Sequence, residues 1–431
     1  NGMATNGGAI YSSNASPRIE GCYLYDNVAF GSGGAVYAEG SQGPRLARCT
    51  IWNNAARIVW DAQSWGGQGA ALYSRTETSA RVEDSHVSGN RGESTAAHTP
   101  ASGAIQGEWE AVRCTVVGHT NHFMAGLLDL PLADECFVHY NAFGVSGVEL
   151  LRNSRIHKNL GAGVVFTRPG LATGCLISKN LGAGISCGGA PGWANVEFSQ
   201  VVSNGVAAAC GGNLMLRIAD CRIAGNDAGS DACMGTIRHE RCSLEDNGTA
   251  GAAALGGVLF DSCLIRNTRG QLFTACKGGI FAKNCTLVDN GRNVTNGPTL
   301  FHGGYNGSFT LQNSIAWNNG TNLYAHDYGA SSNFHGLYSL IQHSSTLYTL
   351  GEGCLDEDPQ FVSAADFRLR PTSPCIGAGS AAHAPANGDL DGNDWDSPPS
   401  MGAYAFRGAA ASSTEPAWSI SSFQATSGTA D

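Results

Sequence analysis

The sequence predicts an all-β fold, a right-handed parallel β-helix wound as a single-stranded β-solenoid of about 14 coils with internal Asn and Cys ladders. Three observations carry that expectation. A Cys or Ser recurs at Cys22, Cys49, Ser85, Cys114, Cys136, Ser154, Cys175, Ser199, Cys221, Cys242, Cys263, Cys285, Ser314 and Ser339, about every 24 residues, a period that suits a solenoid repeat. Two positions later stands an apolar residue in every coil, from Leu24, Ile51 and Val87 to Ala316 and Ile341; such alternation marks a strand with one buried face. Five positions after the Cys or Ser stands Asn in 11 of the 14 coils: Asn27, Asn54, Asn90, Asn141, Asn159, Asn180, Asn204, Asn226, Asn247, Asn290 and Asn319. His119, Thr268 and Ser344 take the place in the other three.

The Asn column has a physical reason. Parallel coils repeat at about 4.8 Å, so identical side chains stack and each buried amide can donate to one neighbour and accept from the other. A second strand precedes the Cys strand and usually follows glycine, as in Gly7-Gly8-Ala9-Ile10-Tyr11, Gly33-Gly34-Ala35-Val36-Tyr37 and Gly256-Gly257-Val258-Leu259-Phe260. Glycine there permits a sharp turn where a Cβ would clash.

Thirteen of the 15 cysteines fall on two inward columns. Cys22, Cys49, Cys114, Cys136, Cys175, Cys221, Cys242, Cys263 and Cys285 lie on the first; Cys187, Cys210, Cys233 and Cys276, with Leu255 in the gap, form the second. A metal wire or redox stack competes with small fillers of a narrow core. Ser and Leu substitute within the columns, which a ligand set would not allow, so inert buried thiols are expected. Cys354 and Cys375 lie outside both columns. They are either a disulfide pair or two more buried thiols.

Composition agrees. With 59 glycines and 14 % charged residues the chain does not suit helices, in which Gly is costly. A formal charge of −10 argues against nucleic acid as a partner, which needs a basic face. No apolar run reaches the length of a membrane span. Residues 1–350 read as the solenoid, 351–407 as a closing module, and 408–431 as an Ala/Ser/Thr-rich tail that could dock as a strand through Trp418, Ile420 and Phe423.

The Gly-led strands followed by Cys-x-Ile-x-x-Asn resemble the β-helix passengers of bacterial secreted and surface proteins. The motifs Asp358-Pro359-Gln360-Phe361, Asp366-Phe367-Arg368-Leu369, Ser373-Pro374-Cys375-Ile376-Gly377, Asp389-Leu390-Asp391-Gly392 and Met401-Gly402-Ala403-Tyr404 are similar, in order and spacing, to the closing module of the choice-of-anchor Q family. That resemblance implies export to the cell surface or medium and no one reaction. The family's usual sorting signal has no counterpart in residues 408–431.

Catalytic chemistry on this fold would stand on the outward positions. Paired aspartates for general acid–base work are missing. The carboxylates Glu20, Glu83, Asp134, Glu197, Glu240 and Asp261 are diluted along the face, with only the last two on consecutive coils. The densest polar group is Arg152, Arg155, His157 and Lys158, with His139 one coil earlier and Lys179 one coil later. It reads as an anionic-sugar site with a His base or as an ordinary exposed patch. Asp389, Asp391, Asn393 and Asp396 resemble half of a calcium loop, so calcium is the one cofactor considered, against a solvated turn. Asn247 and Asn319 begin glycosylation sequons yet should be buried.

The reading that results is an extracellular structural or adhesive solenoid. It would self-associate end to end through an open first coil and the tail, with a surface or matrix polysaccharide as a further partner. A carbohydrate-active enzyme and a phage-type receptor-binding spike are the alternatives.

Overall fold

The computed structural model describes residues 2–57, 67–92, 102–121, 124–189, 191–253, 255–275, 277–295, 297–304, 306–320, 323–326, 333–342 and 351–408. Its strands stack into three parallel 14-stranded sheets and a short four-stranded one, a right-handed parallel β-helix of 14 coils. In the second coil the chain passes through Val36–Gly40 on sheet 1, Arg45–Ala47 on sheet 2 and Thr50–Trp52 on sheet 3, and each later coil repeats that course. Register is strict: Leu24 lies on Ile51, Ile51 on Val87, Val87 on Val116 and Val116 on Val138, all facing inward.

There are three main strands per coil where the sequence suggests two, because the chain turns sharply just before each Cys or Ser. The residue there is left-handed in every coil, whether Gly21 (φ 61°), Arg48 (52°), Asp84 (48°), Phe198 (47°) or Tyr338 (48°). A second left-handed residue, such as Asp26, Asn53, Tyr140, Lys158 or Lys179, precedes the Asn column. Non-Gly residues pay about 1–2 kcal/mol for that conformation, and interior hydrogen bonds offset it. At the first corner Ser85 Oγ donates to Glu83 O (2.7 Å) and accepts from the Cys49 N–H of the preceding coil (3.0 Å). Cys136 Sγ likewise donates to Asp134 O (3.3 Å). Cys and Ser interchange here because either closes the corner with a donor, so the column is more than apolar filler.

At the second corner the amides bond in sequence. Asn27 Nδ2 donates to Asn54 Oδ1 (2.8 Å), Asn54 to Asn90 (2.9 Å), Asn141 to Asn159 (3.2 Å), Asn159 to Asn180 (2.9 Å), Asn180 to Asn204 (2.9 Å), Asn204 to Asn226 (3.1 Å) and Asn226 to Asn247 (2.9 Å). Each Oδ1 also accepts the backbone N–H of the preceding Asn, as Asn180 Oδ1 does from Asn159 N (3.0 Å). Thr268 breaks the amide chain, yet its N–H still donates to Asn290 Oδ1 (3.1 Å), and Asn290 Nδ2 to Asn319 Oδ1 (2.9 Å). Ser344 lies outside the described residues. Asn247 and Asn319 are buried, which removes their sequons from any glycosylating enzyme. Glycine serves a different corner: Gly33 is left-handed (φ 70°), and a Cβ on Gly34 would stand 2.1 Å from Ala70 O.

The second cysteine column differs from expectation. Cys187 pairs in register with Cys210, and the two form a disulfide across adjacent coils with Cα atoms 4.7 Å apart. The column then continues through Ala232, Ala253 and Ala275. Cys233 stands one residue past the column and Leu255 two, and both are exposed. A one-residue slip moves a side chain to the opposite face of a strand, and the coil after Cys210 is a residue shorter than the one before it. Cys276 lies outside the described residues. Cys354 and Cys375 are separate thiols, not a bridge: Cys375 is buried among Ile315, Leu340, Leu369 and Met401, while Cys354 lies against Gly336. Native-state alkylation without reductant should therefore label Cys233 first and leave Cys187 and Cys210 unlabelled, with Cys354 and Cys375 both labelled after unfolding. Mass spectrometry showing Cys354 linked to Cys375 would contradict this arrangement.

The C-terminal segment does more than close the end. Leu355 continues the third sheet through a parallel bridge to Leu340, and the chain then folds back along the flank of the later coils. Arg241 donates to Asn387 O (2.8 Å), Ser262 Oγ to Gly388 O (2.6 Å), Asn284 Nδ2 to Ser400 O (3.1 Å) and Asn313 Nδ2 to Ser380 O (2.8 Å). These donors are the left-handed corner residues of coils 10 to 13. Phe367 packs on Leu264 and Val288, so the segment covers the outer face of sheet 3 there and leaves earlier coils open.

Candidate ligand-binding face

Sheet 3 turns two residues of each three-residue strand outward. At coils 5 to 7 these make two columns, Phe137–Arg155–Leu176 and His139–His157–Ser178, each in register. His139 and His157 therefore stack, as their shared position in the repeat implies. The His139 ring lies over Phe137 with centroids 4.0 Å apart, and the Arg155 guanidinium stands 5.2 Å from the Phe137 centroid. His157 is buried, with Nδ1 2.9 Å from Ser178 Oγ. Tyr140, Lys158 and Lys179 occupy the left-handed corner beside these columns, and Lys158 Nζ donates to the Tyr140 hydroxyl (3.0 Å).

Both imidazoles are pushed down to about 4, by burial first and then by neighbouring positive charge. For His157 that charge comes from Arg155, Lys158 and Lys179; for His139 it comes from His86, Arg155 and Lys158. Both rings are therefore neutral near pH 7. Arg155, Lys158 and Lys179 form no ion pair among the described residues, and Arg155 Nε is buried without a partner among them. Arg152 does not join this group: it lies on sheet 2 and pairs with Asp134 at 2.8 Å.

The outward carboxylates of sheet 2 are all held by arginine. Glu83 meets Arg81 (3.0 Å), Glu240 meets both Arg217 (2.7 Å) and Arg238 (2.9 Å), and Asp261 meets Arg238 (2.8 Å). Glu20 and Glu197 are bound by Arg48 and Arg217. A planar guanidinium can bridge acids on neighbouring strands where a lysine offers one point charge. Arg81, Arg217 and Arg238 each bridge two acids in this way. The signal was in the sequence as Arg-x-Glu at Arg18, Arg81 and Arg238, spaced to share one strand face.

The candidate calcium ligands Asp389, Asp391, Asn393 and Asp396 bond within and around a turn. Asp389 accepts the N–H groups of Asp391 (3.1 Å), Asn393 (2.7 Å) and Ala405 (3.0 Å), Asp391 pairs with Arg368 (2.6 Å), and Asp396 accepts Ser400 N–H (2.9 Å). Among the described residues no three His, Cys, Asp or Glu side chains converge as a ligand set. Trp418, Ile420 and Phe423 lie outside the described residues. Sequence reasoning missed the aromatic stacks of the first coils, Tyr25 on Trp52 at 5.3 Å and Tyr11–Tyr37–Tyr73 at 5.5 and 5.6 Å. Their shared offsets from the repeat could have shown them.

Stacked parallel sheets with a hydrogen-bonded interior define the class, a right-handed parallel β-helix with one partly open outer face. No family model and no curated protein matches the chain. Among solved structures, one described as the crystal structure of Agl-KA catalytic domain is similar with a TM-score of 0.40 and 14 % identity, over 70 % of this chain and 62 % of that one. At that level the likeness assigns no role to any residue here.

Proposed function

We propose that this chain is an extracellular adhesive solenoid, not an enzyme, and that it holds an acidic polysaccharide against sheet 3 at coils 5 to 7. The observation that carries this reading is the cluster of Arg155, Lys158 and Lys179, cations without carboxylate partners among the described residues, in a protein of net charge −10. On sheet 2, by contrast, Arg81, Arg152, Arg217 and Arg238 each hold an acid of this chain. Arg155 offers a fork for a carboxylate or sulfate, the lysines offer point charges on consecutive coils, and Tyr140 offers an exposed ring to the sugar. Coils rise by about 4.8 Å, so a polyanion lying along the solenoid axis meets Arg155 and Lys158 on coil 6 and Lys179 on coil 7. Support for a non-catalytic role comes from sheet 2, where each candidate acid is already bound by a guanidinium. The resemblance to surface and secreted β-helices supports the extracellular setting.

Polygalacturonate titrated into the full chain at low salt should bind, and should weaken as salt screens the patch. The variant R155A/K158A/K179A should bind at least tenfold more weakly with its circular dichroism unchanged. Equal binding by that variant would refute the assignment.

A further inference from the structure

A second site lies where the C-terminal segment meets the solenoid, and it does not rest on the basic patch. Along that edge runs a cleft of about 600 Å³, within the size range of small-ligand sites. Its solenoid wall carries Trp317, half-buried on coil 13, with Asp289 and Asn318 at the left-handed corners of coils 12 and 13. Asn318 Nδ2 donates to Asp289 Oδ1, which sets that amide and carboxylate side by side. Its other wall carries Phe361, braced edge-on by Phe367 with centroids 5.3 Å apart, and brings Asp358 and Arg370 to the rim. Arg370 is anchored by donation to Val362 O (2.9 Å).

We infer that this cleft is a binding site for a short stretch of neutral polysaccharide. Indole and phenyl faces suit the C–H face of a pyranose ring, and they combine a large apolar area with few rotatable bonds. Adjacent carboxylate and amide groups suit the vicinal hydroxyls of a sugar, which present a donor and an acceptor side by side. Two carboxylates against one guanidinium give the rim a negative balance, which repels phosphate and uronate and so separates this ligand from the one held at coils 5 to 7. The two walls come from distant parts of the chain, so the site exists only when the C-terminal segment is folded onto coils 12 and 13.

The test is calorimetric titration of the full chain with cellohexaose, mannohexaose and maltohexaose. At least one should bind, Trp317→Ala and Asp289→Asn should each weaken it at least tenfold, and R155A/K158A/K179A should leave it unchanged. Circular dichroism identifies a variant that fails to fold; the other then carries the test. Absence of binding by all three sugars, or unchanged binding in a folded Trp317→Ala or Asp289→Asn protein, would overturn the assignment.

Discussion

Acidification from about pH 7 to about pH 4 is expected to cost this fold about 3 kcal/mol through one residue, His119. His119 stands in the Asn column, fully buried, with Nδ1 2.8 Å from Asn141 Oδ1 and Nε2 3.2 Å from Asn90 Nδ2. Those partners assign the neutral ring with the proton on Nδ1, so one nitrogen donates and the other accepts, as an amide would. Protonation would put a donor against the Asn90 amide and a charge in the core. Burial accordingly pushes His119 down to about 4, below the value of about 6.5 in an unfolded chain. Between those values the unfolded state binds the proton and the folded state does not. The stabilisation is therefore complete above about pH 6.5 and is lost as pH falls towards 4. His139 and His157 act in the same direction, and for the half-buried His139 solvent screening weakens the effect. His119→Asn should continue the amide column without a titrating group, so its denaturation midpoint should fall much less over this range. An identical acid loss in that variant would place the effect elsewhere.

The second large effect is expected at Asn180. Its Oδ1 accepts both the side chain and the backbone N–H of Asn159, and its Nδ2 donates to Asn204 Oδ1 and to Ile156 O (3.3 Å). Asn180→Ala leaves the buried Asn159 N–H without a partner and opens a small void, at about 2–4 kcal/mol. Asn180→Asp keeps the shape but sets an acceptor against Asn204 Oδ1 and Ile156 O, and buries a charge if ionised. It should be worse than Ala near pH 7 and should recover in part on acidification. Chemical denaturation of both variants tests this; two wild-type midpoints would show that the column is decorative.

How much of this was legible follows from where the repeat signal sits. Cys or Ser and Asn mark the two inward corners of the sheet 3 strand, where stacking demands a particular hydrogen-bonding group, so period and register could be read from them. The left-handed residues beside them could not: Arg48, Phe198, Ser203 and Tyr338 share a backbone angle and nothing in side-chain type. Three strands per coil therefore looked like two. Cys233 was misplaced because the chain between coils varies in length by single residues while face alternates with period two. The docking of the C-terminal segment was invisible for another reason. Arg241 and Asn387 lie 146 residues apart, and no local spacing encodes that contact. At the basic face, the shared position of His139 and His157 was readable, whereas the absence of ion pairs to Arg155, Lys158 and Lys179 among the described residues needed the third dimension.

The central claim, that the basic face of coils 5 to 7 receives a polyanion, is tested most directly by its own histidines. Imidazole resonances of His139 and His157, assigned with His139→Gln and His157→Gln, can be followed by NMR against pH with and without polygalacturonate. Free protein should titrate both near 4. Bound carboxylates would neutralise the cations that hold the rings down and add negative charge beside them, so both midpoints should rise, by about one unit or more, and binding should tighten as pH falls. Midpoints that stay fixed while polygalacturonate binds would contradict the account and place the ligand elsewhere.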